Sequence, residues 1–229
     1  WHSKHILAKF DNISWNESIK NLHKPENIGK FKNNFYKRLA FDEIFSTFLV
    51  HSEIRKKIKR NKKKNKILDL EKQKKIINKL SFILTKDQLK SLGEINEDLN
   101  SPNKMFRLLQ GDVGSGKTIV SLLAAYNTVN SGFQVAIMAP TEILARQHFN
   151  LCKKIFDNEL NIALISGKSD NKEKKDILSK LSKNKIDIIF GTHAIFQKKV
   201  IFENLGLIII DEQHKFGVNQ RKRLSDKGG

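Results

Sequence analysis

Gly111-Asp112-Val113-Gly114-Ser115-Gly116-Lys117-Thr118 is the stretch on which the reading of the fold turns. It fits G-x-x-x-x-G-K-[S/T], a pattern that carries meaning only between a strand and a helix. Both flanks qualify: Met105–Gln110 reads as an apolar strand and Lys117–Asn130 as a helix. The glycines Gly111, Gly114 and Gly116 let the backbone curl so that successive N–H groups, including those of Asp112, Val113 and Ser115, point inward at phosphate oxygens. The helix that follows adds the positive end of its dipole. Lys117 is then a mobile point charge for β- and γ-phosphates, and the Thr118 hydroxyl is a ligand for Mg²⁺. The plain alternative is a glycine-rich turn with no ligand, which the strand and helix on either side disfavour.

Short apolar runs alternate with helical patterns on the C-terminal side of this loop. Gln134–Ala139, Asn161–Ser166, Ile186–Phe190 and Leu205–Ile210 read as strands. Thr141–Phe156 and Asn171–Lys183 read as helices. Such alternation builds βαβ units around a mostly parallel sheet, so the fold class is α/β. The runs Val135–Met138 and Ile186–Phe190 are apolar at every position but one, as suits strands covered on both faces. The last strand ends in Leu207-Ile208-Ile209-Ile210-Asp211-Glu212. Ligands of open α/β sheets bind at the carboxyl ends of strands, where these two carboxylates fall. Asp211 is expected to hold Mg²⁺, and Glu212 to orient or deprotonate an attacking water. An acidic pair after a strand is a weak signal alone. Asp211 lies 94 residues beyond Lys117, across several strand–helix units, and the combination points to nucleotide hydrolysis with ATP and Mg²⁺ as cofactors.

The N-terminal side has another texture. Residues 1–34 are polar and broken by Pro25 and Gly29, with Trp15, Ile19 and Leu22 forming one short helical face. Phe35, Leu39, Phe41, Ile44, Phe45, Phe48 and Leu49 recur at helical spacing, which predicts one long amphipathic helix from Phe35 to about Arg60. Residues 51–80 hold 13 Lys and Arg against 3 Asp and Glu, about half of the excess in a chain of net charge +19. A phosphate-contacting stripe and a merely solvated helix face both fit that run, which has no interleaved aromatics for base stacking. The whole-chain surplus points to a polyanionic partner, most often nucleic acid. Only seven of the 43 basic residues are Arg, so an AT-rich coding bias toward Lys also contributes.

The chain is 229 residues long and 39% hydrophobic, which argues against a wholly disordered protein. Its longest aliphatic run, Leu207–Ile210, is far short of the roughly 20 apolar residues a transmembrane helix needs. The single cysteine, Cys152, excludes an intramolecular disulfide and a multi-cysteine zinc site, and reads as a small packing residue in a reducing cytoplasm. The start at Trp1 and the loop-like end at Lys227-Gly228-Gly229 read as an internal piece of a longer protein.

Asp211-Glu212-Gln213-His214 is D-E-x-H, and here the chain resembles the superfamily 2 helicases and translocases. The continuation Lys215-Phe216-Gly217-Val218-Asn219-Gln220-Arg221, taken with the phosphate-binding loop, most resembles the RecG family of bacterial branched-DNA helicases. The double-strand translocases of the Mfd family share the Phe-Gly-Val element but usually differ just after it, so Gln220-Arg221 favours RecG. Lys215 stands where the family commonly has Arg, and Leu84 where many relatives have Pro.

The resemblance implies a RecA-like P-loop domain over residues 81–229, incomplete at its C-terminus, preceded by a helical connector over residues 1–80 from an N-terminal wedge domain. It implies an ATP-dependent enzyme that remodels branched duplex DNA such as stalled forks and Holliday junctions. That enzyme would be a monomer in the bacterial cytoplasm, associated with the nucleoid and not with a membrane. A second motor domain, with its catalytic arginine, would lie outside this stretch, which alone should not unwind DNA. The rival readings are an Mfd-type translocase and a non-catalytic nucleic-acid-binding module with an inert nucleotide site.

Phe82, Thr85 and Gln88 look like the adenine-reading motif, with Gln88 on the base edge; a polar residue at a helix N-terminus is an equal alternative for Gln88. Ala139-Pro140-Thr141-Glu142-Ile143-Leu144-Ala145-Arg146-Gln147 and Gly191-Thr192-His193-Ala194-Ile195-Phe196 look like DNA-contact motifs. They offer Thr141, Glu142, Arg146, Thr192 and His193 to a strand backbone. Thr141 as a plain helix cap, Arg146 paired to Glu142 or to solvent, and His193 as an ordinary loop residue are the alternatives. Gln213 and His214 are implied to couple nucleotide state to DNA. The family order also puts a further strand between 106–110 and 207–210, which predicts no ladder between those two segments and an unstable isolated domain.

Overall fold

A computed structural model of the chain describes residues 4–23, 32–60, 66–156, 159–167, 170–197 and 199–212. Two compact units divide at Asn61/Lys62.

The first unit contains α1 (Lys4–Ala8), α2 (Trp15–His23) and α3 (Lys32–Arg60). The long helix expected from Phe35 is present, and α2 matches the short face at Trp15, Ile19 and Leu22. Three of the apolar positions on α3, Ile44, Phe48 and Leu49, are exposed. What α3 buries instead is Arg38, whose guanidinium pairs with Asp42, donates from Nε to the Ile13 carbonyl at 3.3 Å and lies 5.8 Å from the Phe10 ring centroid.

The second unit begins 19 residues before the Leu80/Ser81 boundary drawn from the sequence. The reason is α4 (Leu70–Lys79), whose Ile76 enters the main core beside Leu68, Ile77 and Leu80. Asp69 caps α4 by accepting the Lys72 N–H at 3.1 Å. Buried amides then tie α4 to α5 (Lys86–Asn100) and α6 (Lys117–Asn130). Gln73 Oε1 accepts from Asn96 at 2.7 Å and from Asn127 at 2.5 Å, and Asn127 also donates to Asn96 Oδ1 at 2.8 Å.

The sheet is all parallel, in the order β2–β3–β1–β4, with β1 at Gln134–Met138, β2 at Ile162–Ile165, β3 at Ile188–Gly191 and β4 at Leu205–Ile210. Alternation of side chains sorts each strand between two faces. Val135, Ile137, Ile188, Phe190 and Leu207 join α5, α6 and Cys152 and Phe156 of α7 (Glu142–Phe156) in one core. Ala136, Met138, Ala163, Ile165 and Ile189 meet Leu181 of α8 (Asn171–Leu181), Ile195 and Val200 in the other. Apolar strands without polar alternation are thus explained by helices on both sides. Burial pushes the Cys152 thiol up to about 12, which leaves it a packing group rather than a nucleophile.

One expected strand does not form. Residues 104–110 carry no ladder and no regular secondary structure. Met105 and Leu109 pack on the core, while Phe106 and Leu108 are exposed. The segment is held by its side chains: Arg107 donates to Asp98 at 2.8 Å and to Glu94 at 2.6 Å, both on α5. Among the described residues β4 pairs only with β1, so 106–110 and 207–210 share no ladder; because 106–110 pairs with no strand, the implied strand order is not tested by this.

Gln134 closes the opposite end of the sheet. It is 1% exposed; its Nε2 donates to the carbonyls of Leu181 and Ile186 at 2.8 and 2.9 Å, and its Oε1 accepts the N–H groups of Glu203 and Asn204 at 3.0 and 3.1 Å. Two connections, the one from α8 to β3 and the one before β4, depend on one amide. Gln134→Leu has similar volume but leaves four backbone groups without that partner, at about 1–3 kcal/mol for each that stays buried. Urea denaturation should show a loss of at least about 3 kcal/mol. A loss below about 1 kcal/mol would mean that water replaces the amide at no cost.

Candidate nucleotide and nucleic-acid site

Parallel register lines up the carboxyl ends of all four strands. Met138 lies opposite Gly191 on β3 and Ile210 on β4, and Gly191 opposite Ile165 on β2. Two further bonds extend the alignment: Ala139 N–H donates to the Gly191 carbonyl at 3.0 Å, and Asp211 N–H to the Met138 carbonyl at 2.8 Å. Ser166-Gly167, Thr192-His193, Pro140–Glu142 and Asp211-Glu212 therefore emerge along one edge. Ligands of doubly wound sheets bind at that edge.

The loop at 111–116 turns through Gly114 and Gly116, at φ of 83° and 81°. A Cβ at Gly116 would also meet Gln88 Nε2, and that side chain would have to move aside. The Lys117 ammonium donates into the loop, to the carbonyls of Gly111 and Asp112, both at 2.7 Å. Thr118 is half-buried in the first turn of α6, and Val113 at the loop's tip is fully exposed. Gln88 takes the helix N-terminal place that the sequence allowed it and also reaches the phosphate-binding loop. It is residue N3 of a capping box with Thr85, and its Nε2 donates to the Ser115 carbonyl at 2.9 Å. Leu84, in the position commonly Pro in relatives, is buried, while Phe82 is 47% exposed.

Asp211 and Glu212 follow β4, and Glu212 has a left-handed φ of 51°. The Asp211 carboxylate is held below the ordinary carboxylate range mainly by its hydrogen bond with His148, at 2.8 Å. Burial opposes that shift, while the Glu212 N–H and the Lys117 charge add to it. Among the described residues no group of three or more His, Cys, Asp and Glu could hold a metal. Thr118 and Asp211 supply hard oxygen ligands, and Mg²⁺ is ordinarily bound by one or two such groups together with phosphate oxygens and water.

The candidate DNA contacts lie on the same edge. The Thr141 hydroxyl accepts the Leu144 N–H at 3.3 Å as a cap, and Arg146 is exposed. Thr192 precedes a 3-10 turn (His193–Phe196) without capping it through its side chain, and His193 is exposed. Glu142 is engaged within the domain: its carboxylate accepts the Gly167 N–H, and a Cβ at Gly167 would collide with it. Gln213 and His214 lie outside the described residues.

Sequence reading passed over His148. The signal was there, because the buried positions of α7, Ala145, Cys152 and Phe156, recur at helical spacing and His148 falls on that face. Gly167 and Arg107 were also missed, having no pattern of their own.

The DEAD/DEAH box helicase family matches residues 71–227, which contain the phosphate-binding loop, both candidate DNA-contact motifs and the acidic pair. The chain belongs to the DEAD/DEAH box helicase family. Among its relatives, the ATP-dependent DNA helicase RecG of Aquifex aeolicus is 44% identical over 92% of this chain and 27% of its own length. RecG of Streptococcus pneumoniae is 42% identical over 97% of this chain and 33% of its own length. A solved structure of RecG bound to a three-way DNA junction is similar with a TM-score of 0.78 and 38% identity, over 94% of this chain and 30% of that one. The helicase domain described here thus spans about a third of the length of these relatives, and its resemblance to RecG runs through nearly all of its own.

The lowered pKa of Asp211 sets an acid limb for this domain. A group depressed on folding contributes stability above its unfolded value, here near 3.8, and that contribution is lost as pH falls through the lower folded value. Asp211→Asn should flatten the dependence of unfolding free energy on pH below about 4. An unchanged slope between the two proteins would show that the carboxylate gains nothing from His148 on folding.

Proposed function

We propose that this domain binds and hydrolyses ATP as the first RecA-like motor of an enzyme that remodels branched DNA. The observation that supports this best is a phosphate-binding loop that Lys117 closes on its own carbonyls, together with Asp211 and Glu212 at the carboxyl end of β4, in a chain 42–44% identical to RecG proteins. In this reading residues 1–80 connect the motor to a wedge domain, and the longer protein works as a cytoplasmic monomer.

Each role follows from position. The backbone N–H groups of residues 111–116 and the N-terminus of α6 take the phosphates. Lys117 exchanges the Gly111 and Asp112 carbonyls for β- and γ-phosphate oxygens, which suits a flexible point charge. Thr118 and Asp211 hold Mg²⁺, whose charge offsets that of the phosphates. Glu212 orients the attacking water and accepts its proton. Gln88 reads the adenine edge, and its bond to Ser115 ties that reading to the loop. Phe82 offers exposed apolar surface beside it. Thr141, Arg146, Thr192 and His193 contact the backbone of a DNA strand. Glu142 stands behind them, holding Gly167.

Two substitutions in the full-length protein separate binding from chemistry. Lys117→Ala should weaken ATP binding at least about tenfold by calorimetry, since a charge-assisted contact to phosphate is worth about 1.5–3 kcal/mol. Glu212→Gln keeps size and hydrogen bonding, so ATP should still bind while DNA-stimulated hydrolysis falls about 100-fold or more. Hydrolysis within about twofold of wild type would remove Glu212 from the reaction.

A further inference from the structure

His148 touches the nucleotide site from a helix that neither the phosphate-binding loop nor β4 belongs to. It is on the inner face of α7, with its side chain 13% exposed, and its Nε2 is 2.8 Å from Asp211 Oδ2. The Asp211 side chain is 34% exposed, so one of its surroundings is protein and another is open. The residue that follows it, Glu212, has a left-handed φ of 51°.

A carboxylate at a strand end has two soft torsions and no fixed direction of its own. A metal-binding carboxylate needs one oxygen presented steadily to the ion or its water, and hydrogen bonds to the other atoms supply that restraint. The residues of α7 around His148 are packed well enough to act as an anchor. Ala145 and Cys152 are 1% and 0% exposed, and the Phe149 ring meets Phe190 edge-on with centroids 5.9 Å apart.

We infer that His148 is a positioning residue for the proposed metal site: it holds Asp211 by Oδ2, so that the carboxylate is already oriented when Mg²⁺–nucleotide arrives. This rests on the reading of the site given above. Losing a restraint of this kind typically costs about 10–100-fold in metal affinity. His148→Ala removes the restraint, whereas His148→Gln keeps a donor at a similar reach.

The test uses the full-length protein, a fluorescent ATP analogue that is not hydrolysed, and a titration of Mg²⁺ or Mn²⁺ at fixed nucleotide. Wild type should show metal-dependent nucleotide binding. His148→Ala should leave metal-free nucleotide binding unchanged and raise the metal concentration at half-saturation about tenfold or more. His148→Gln should recover most of that loss, which a residue needed only for packing would not do. Equal metal dependence in His148→Ala and wild type would overturn the inference. So would a His148→Gln protein that folds, by its thermal transition, yet remains as impaired as His148→Ala. If wild type bound nucleotide with no metal dependence, the proposed metal site itself would fall, a result distinct from both.

Discussion

Parallel strands bury both faces, and the rest of this domain depends on that constraint. A strand such as β1, with all five residues buried, cannot be covered by one layer. The chain meets the requirement with α5, α6 and α7 on one side and α8 with Ile195, Val200 and Phe202 on the other. Parallel pairing also forces every connection to return to the same end before the next strand begins. The loops that leave the strands therefore gather at one edge, and that edge acquires the site.

The site is built from groups that are individually weak signals. Glycines at positive φ, a lysine donating to carbonyls and a carboxylate at a strand end each occur widely without function. Their meaning comes from register: Met138 faces Gly191 and Ile210, so motifs scattered over a hundred residues sit side by side. Cross-links then restrain them. Gln88 fastens α5 to the phosphate-binding loop, His148 fastens α7 to the end of β4, and Glu142 fastens the start of α7 to the loop after β2. A site that must bind a highly charged ligand profits from parts held in place beforehand, because less ordering is left to be done on binding.

The edge opposite is quieter and equally demanding. One amide, Gln134, satisfies two carbonyls at the α8–β3 connection and two N–H groups before β4, which lets short connections run without exposed backbone ends. Segment 104–110 is held in another way. It has no ladder, so Arg107 and the apolar side chains of Met105 and Leu109 hold it against the core.

Local pattern sufficed for much of this protein. The loop at 111–118, the four strands, the helices α3, α6, α7 and α8 to within a few residues, and the placement of Asp211 and Glu212 after β4 were all legible in the sequence. Each is encoded by neighbours along the chain: glycine at turns, period in apolar residues, carboxylates after an aliphatic run. Strand formation at 105–110 was misread because a strand is defined by its partner, and composition does not say whether one is present. The packing of α4 into the second compact unit was not legible, because α4 is polar in sequence and joins the core through a few side chains and one amide network. His148, Gln134 and Glu142 acquired their roles only in three dimensions. Their partners lie 63, 47–70 and 25 residues away, and a hydrogen bond at such separation leaves no periodic trace for a reader of the chain to find.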